Sequence, residues 1–193
     1  PGGLAGGDEL RVHLVQGSGT KVRITTPGAT RLYRSKGPWA EQEVRLHVEG
    51  DALLEWLPLE TLAYGGCLAR NVVKAKLEPG ALMMGWDVCC LGLPAAGDAF
   101  DHGTFEQHLE IEGVWLERGR VQAQDRLLRE SALGLDGHPV WASMWCASGS
   151  AWTDALRERL EEAARRCGPH PAMPFGVTSP NPQVVVVRAY PVT

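Results

Sequence analysis

Several stretches of the chain alternate apolar and polar residues with period two, the pattern of a strand that is wet on one face only. In Glu43 to Glu49, Val44, Leu46 and Val48 fall on one side and Glu43, Arg45, His47 and Glu49 on the other. Phe105 to Glu112 repeats the idea, with Phe105, Leu109 and Ile111 opposite Glu106, His108, Glu110 and Glu112. Leu10 to Gln16 and Lys21 to Thr25 read the same way. Between such runs stand Gly17-Ser18-Gly19, Gly50-Asp51, Gly65-Gly66, Pro79-Gly80 and Gly97-Asp98, residues that supply positive φ or a preset bend. Many short strands separated by frequent turns predict a mainly β architecture rather than βαβ units. No internal repeat of fixed period is evident.

One segment changes period. Leu156, Leu160, Ala163, Ala164 and Cys167 form a single helical stripe and predict a helix over 153–167. Thr153 is its N-cap, Arg165 and Arg166 lie in its last turn, and Gly168-Pro169 ends it. Glu161 with Arg165 and Glu162 with Arg166 add pairs worth roughly 0.3 kcal/mol each. The following stretch, 168–183, carries five prolines and is expected to be an irregular connection. Gln183 to Tyr190, with four consecutive valines, reads as a buried strand.

Composition narrows the class. The 193 residues, 44% hydrophobic and 22% charged, suffice for one globular domain with a sizeable core. Nineteen Lys and Arg against 23 Asp and Glu leave no basic footprint for a nucleic acid or an anionic membrane. The longest uncharged run, 167–187, is broken by its prolines and does not read as a membrane span. Five cysteines without CxxC spacing suggest reduced thiols, and with no leader-like N-terminus a cytoplasmic location is expected.

Common catalytic signatures are missing. No serine has glycine at both −2 and +2, no HExxH occurs, and Gly17 to Lys21 lacks the Gly-Lys-Ser/Thr ending of a phosphate loop. Cys89 and Cys90 are adjacent and would point to opposite faces of a strand. His47 with Glu49, and His108 with Glu106 or Glu110, have ligand spacing, but a solvated strand face gives the same pairs. One alternative keeps an enzyme open: a β-rich metal-dependent hydrolase with a site around Asp98, Asp101, His102 and His108.

Four runs in order resemble one family. They are Pro1-Gly-Gly-Leu-Ala-Gly-Gly-Asp8, Thr25-Thr-Pro-Gly-Ala-Thr-Arg-Leu-Tyr-Arg34, Leu54-Glu-Trp-Leu-Pro-Leu-Glu-Thr61 and Gly97-Asp-Ala-Phe-Asp-His-Gly103. On them the chain resembles the urease accessory protein UreD, or UreH, family. The resemblance implies stacked, β-helix-like sheets with a small C-terminal helical part. It also implies a cytoplasmic, non-enzymatic chaperone that binds apo-urease, the helical accessory protein UreF and, through it, the GTPase UreG. Nickel would be in transit, with no cofactor held tightly. Asp8, Glu60, Asp87 and Asp98 become candidates for lining a nickel path, because scattered oxygen ligands pass an ion without trapping it. Tyr33, Arg34 and Trp56 are candidate partner contacts. The chain departs from the family pattern at Pro27, Leu59 and Leu93, where polar side chains are usual, and Asp87 stands in place of a glutamate. Members usually carry an N-terminal β segment before the position of Pro1 and a C-terminal helix after that of Tyr190. Residues 1–193 are therefore expected to form a single UreD-like domain without those pieces.

Overall fold

Strands that are each apolar on one face can all be satisfied if the chain winds so that every such face turns to one interior. The computed structural model, which describes residues 3–167 and 173–190, does this by coiling. The first coil contains β1 (Glu9–Gln16), β2 (Lys21–Ile24) and β3 (Thr30–Leu32). The second contains β4 (Ala40–Val48), β5 (Leu53–Trp56) and β6 (Thr61–Ala63). In the third, β7 (Leu68–Leu77) is followed by one long strand, β8 (Leu82–Leu91), which pairs in parallel with both β5 and β6. β1, β4, β7 and β9 (Thr104–Ile111) stack in parallel, and β10 (Trp115–Gln122) closes that five-stranded sheet as an antiparallel hairpin. β11 (Val140–Ser148), β13 (Val184–Ala189) and β12 (Phe175–Asn181) extend the other sheet antiparallel from β8. The fold is thus mainly β, with stacked sheets and a helix near the C-terminal end, as the resemblance implies.

The register explains why no fixed period is visible in the sequence. Glu9 pairs with Glu41, Ala40 with Ala69 and Leu68 with Thr104, so successive coils advance by 32, 29 and 36 residues. What repeats is the corner between the two sheets. Gly19 N donates to Gly50 O, Glu49 N to Gln16 O and Glu78 N to Val48 O, which stacks the three turns. Gly80, at φ +83°, occupies the third; a Cβ there would lie 2.6 Å from Asp51 Oδ1.

Two apolar clusters fill the space between the sheets. One gathers Val44, Leu46, Leu54, Trp56, Met83, Leu109, Trp145 and Val186; the other gathers Leu32, Ala69, Cys89, Phe100, Phe105 and Val121. Trp141 and Trp145 lie on the same inward side of β11, as their spacing requires.

α2 (Asp154–Arg166) begins as predicted: Thr153 Oγ1 accepts from Leu156 N at 3.3 Å. Both predicted pairs form, Arg165 to Glu161 at 2.7 Å and Arg166 to Glu162 at 3.4 Å. Thr153→Ala is expected to cost about 1 kcal/mol, read as a lowered urea midpoint at unchanged slope.

Two expectations are corrected. Within 168–183 the structure places β12, a strand rather than an irregular connection. It is an edge strand, where a proline such as Pro180 removes no ladder bond that a neighbour needs. A second helix, α1 (Arg126–Glu130), precedes β11; its five residues are too few for a readable stripe, although Asp125 caps it by accepting from Leu128 N at 3.0 Å.

Candidate functional site

Between the two apolar clusters the interior is polar. Several strands that cross this level each contribute one hydrophilic side chain at a position whose neighbours two residues away face the core. On the five-stranded sheet these are Gln42, Asn71 and Gln107, set side by side by the pairing of Gln42 with Asn71 and Asn71 with Gln107. Facing them, Asp87 on β8 pairs with Ser143 on β11. Ser143 Oγ donates to Glu117 on β10 at 2.8 Å, and Glu117 accepts from Arg188 Nε on β13 at 2.6 Å.

The hydrogen bonds of this belt converge on Asp87. Gln42 Nε2 donates to Asn71 Oδ1 at 3.1 Å, and Asn71 Nδ2 donates to Asp87 Oδ1 at 3.2 Å. From the other side Trp141 Nε1 donates to Gln107 Oε1 at 3.2 Å, while Gln107 Nε2 and the Cys89 thiol both donate to Asp87 Oδ2. All three donors to the carboxyl are neutral. Burial therefore dominates and pushes the Asp87 carboxyl above the usual carboxylate range, against the opposing pull of Cys89, Gln107 and Asn71. Glu117 adds a smaller repulsion in the same direction.

Linkage turns that shift into a prediction. The unfolded chain ionises Asp87 near its ordinary value of 3.8, whereas the folded chain keeps the proton to higher pH. The folded state therefore loses stability relative to an Asp87→Asn variant as pH rises from about 4 toward the folded pKa. The slope can reach about 1.4 kcal/mol per pH unit. Paired denaturant titrations at several pH values should show the difference widening with pH and then levelling off.

The belt meets the surface at both ends. Thr30 and Gln42 line a cavity of about 150 Å³ with Leu10, Trp56 and Pro58, and Thr30 Oγ1 donates to Gln42 Oε1 at 3.2 Å. Gln107, Glu117, Ser143 and Arg188 line another, of about 240 Å³, with Trp141 and Tyr190.

Of the four candidate path carboxylates, Asp87 lies in this belt. Asp8 is exposed and caps its own turn, accepting from Ala5 N at 2.8 Å. Glu60 is half-buried near Cys90, whose thiol is pushed up first by burial and then by that carboxylate. Asp98 is exposed in the loop before β9. Tyr33 and Arg34 stand at the surface, but Trp56 is 4% exposed within the core, which corrects its reading as a partner contact. The hydrolase residues do not form one site. Asp101 bonds to His102 in the exposed loop near Arg34, whereas His108 projects from the outer face of β9 and meets Glu110 at 2.8 Å. Among the described residues no three His, Cys, Asp or Glu side chains converge to hold a metal ion. Burial also pushes the Cys67 thiol up to about 12, so this thiol is no ready thiolate ligand or nucleophile.

Gln42, Asn71, Gln107 and Ser143 were not recognised in the sequence, yet a signal was there. The alternation that assigns Phe105, Leu109 and Ile111 to the inner face assigns Gln107 to it as well. No described helix is long and apolar enough to cross a membrane.

The family described as UreD urease accessory protein matches residues 1–191. Proteins named urease accessory protein UreD from Polaromonas sp., Albidiferax ferrireducens and Methylibium petroleiphilum are 50%, 48% and 45% identical to this chain. Each alignment takes in 97% of the chain and 69% of the relative. Agreement of this extent, on a stacked β fold whose core is divided by a polar belt, places the chain in the UreD urease accessory protein family.

Proposed function

We propose that this chain is a scaffold for urease maturation that turns over no substrate itself. It binds apo-urease together with UreF and, through UreF, the GTPase UreG, and lets nickel pass through its interior toward the urease active site. The observation that carries the reading is the belt around Asp87. A core spends polar groups at such a level only if they are satisfied or used, since each unsatisfied one costs about 1–3 kcal/mol. Here, among the described residues, neutral amides and a thiol satisfy them around a buried carboxyl.

A divalent ion entering the belt would meet Asp87 as its negative ligand. Rotation of the Asn71 and Gln107 amides would turn their oxygens toward it. Carboxylate and carbonyl oxygens replace part of a hydration shell without the affinity of a thiolate or imidazole cage, which suits transit better than storage. Glu117 and Ser143 continue the polar surface toward the cavity at Arg188. Asp8, Glu60 and Asp98 lie outside this line and the route does not depend on them. Tyr33 and Arg34, exposed beside the Asp101–His102 loop, remain proposed partner contacts.

Co-expression of the chain with the apo-urease, UreF and UreG of its own organism, followed by affinity capture and sizing, tests the scaffold part. A defined complex containing urease is expected. A folded chain that captures none of them contradicts the reading.

A further inference from the structure

The two amides that flank Asp87 are each held from behind, and their holders differ in kind. Gln107 Oε1 accepts from Trp141 Nε1 at 3.2 Å, which turns Gln107 Nε2 toward Asp87 Oδ2. Asn71 Oδ1 accepts from Gln42 Nε2 at 3.1 Å, and Gln42 Oε1 in turn accepts from Thr30 Oγ1 at 3.2 Å. An indole nitrogen only donates, whereas an amide or a hydroxyl group both donates and accepts.

The two arms therefore respond differently when an amide turns over. If Asn71 presents its oxygen to Asp87's side, its Nδ2 faces Gln42. Gln42 can turn with it, and the Thr30 hydroxyl can change from donor to acceptor. The row Thr30–Gln42–Asn71 thus has two complete hydrogen-bonded arrangements of opposite sense. The arm of Gln107 has one. Turned over, its Nε2 would meet the Trp141 N–H, two donors with no acceptor between them, and the bond to the indole would be lost. Packing keeps the indole in place: Trp141 pairs with Cys89 across β11 and β8, and its ring lies 6.1 Å from that of Phe105.

We propose that Trp141 is a positioning residue that limits the hold of the belt on a divalent cation. It acts through Gln107. A cation at Asp87 gains the oxygen of Asn71 at little cost, because the row behind that amide reverses as a unit. The oxygen of Gln107 comes only at the expense of the bond to Trp141. A carboxylate with one freely available amide oxygen releases its ion more readily than the same carboxylate with two. The inference rests on the reading that nickel enters the belt, and it names the side chain that keeps the ion from settling there.

The test is equilibrium dialysis of the purified full-length protein against Ni²⁺. The binding that Asp87→Asn removes is the share held by the belt. Trp141→Phe keeps a ring against Phe105 and removes the N–H, and it is expected to tighten that share about threefold or more, the worth of one hydrogen bond. Replacing Trp141 by benzothienylalanine, whose sulfur stands where the indole has its N–H, should do the same at unchanged shape and decides the matter if Trp141→Phe does not fold. The gain should vanish when Gln107→Leu is added, since it passes through that amide. A role in packing alone has the opposite sign, because a loosened site binds its ion more weakly. Unchanged or weaker Asp87-dependent binding in the benzothienylalanine protein overturns the inference while leaving the route through the belt standing. A gain that persists with Gln107→Leu also overturns it. Equal nickel binding by the parent and the Asp87→Asn protein contradicts the route itself and removes the inference with it.

Discussion

Gly85→Val is expected to leave little folded protein at 37 °C. Gly85 sits on the inward side of β8 opposite Trp145 of β11, and a Cβ at this position would lie 2.5 Å from Trp145 Cζ2 and 2.6 Å from Cε2. The indole cannot retreat. It is 1% exposed, lies 5.8 Å from the ring of Trp115, and belongs to the larger apolar cluster. Overpacking one methyl into such a site costs about 1–3 kcal/mol, and the branched side chain exceeds that range. Domains of this kind hold only about 5–15 kcal/mol in total. Gly85→Ala should therefore fold with a melting temperature lowered by several degrees, at about 2–4 °C per kcal/mol, and Gly85→Val should collect as insoluble protein. Because the clashing atoms all belong to the indole, Trp145→Leu should make room. The double variant Gly85→Ala with Trp145→Leu should lose less than the sum of the single losses, a coupling that a double-mutant cycle measures.

The contrast between what the sequence discloses and what it conceals follows from the geometry of a coil. Period-two alternation depends only on a strand and its two faces, so β4 and β9 are legible residue by residue, and the capped stripe of α2 is legible for the same reason. The stacking of coils is set by cross-strand partners 29 to 36 residues apart, and because the connections differ in length the chain shows no period. β12 was obscured by prolines that an edge strand tolerates, and α1 by its shortness. The polar belt was obscured differently. Gln42, Asn71 and Gln107 lie on three separate strands, and each alone is an ordinary polar residue. Only the register makes them neighbours. Asp87 could be nominated from the family resemblance, but its burial and its three neutral donors follow from how β7, β8 and β9 meet. Trp56 shows the opposite error: an aromatic in a specific motif suggests an interface, but its inward phase on β5 puts it in the core.

Asp87→Asn carries the second large effect. The substitution keeps the shape and removes the charge that the carboxyl would present to a cation. The folded protein should survive: the amide oxygen still accepts a bond, and the penalty of burying an ionisable group disappears, so that above about pH 4 the variant gains relative to the parent. Capture of apo-urease should be unaffected, because Asp87 is 4% exposed and its hydrogen bonds run inside the belt. Nickel-dependent activation of that urease should fall at least tenfold, since the ion would lose the carboxylate on which the hydrogen bonds of the belt converge. Gln107→Leu, which blocks the same level with an apolar side chain, should have the same sign, while Asp8→Asn at the exposed turn should have little effect.

The most direct test measures nickel in the urease itself. Apo-urease is captured with this chain and its accessory partners, supplied with nickel and GTP, and separated, and its metal is counted per active site. The account predicts near-complete loading with the parent chain and at least tenfold less with Asp87→Asn at equal complex yield. Equal loading with both chains would contradict an interior route through the belt and return Asp87 to a purely structural role.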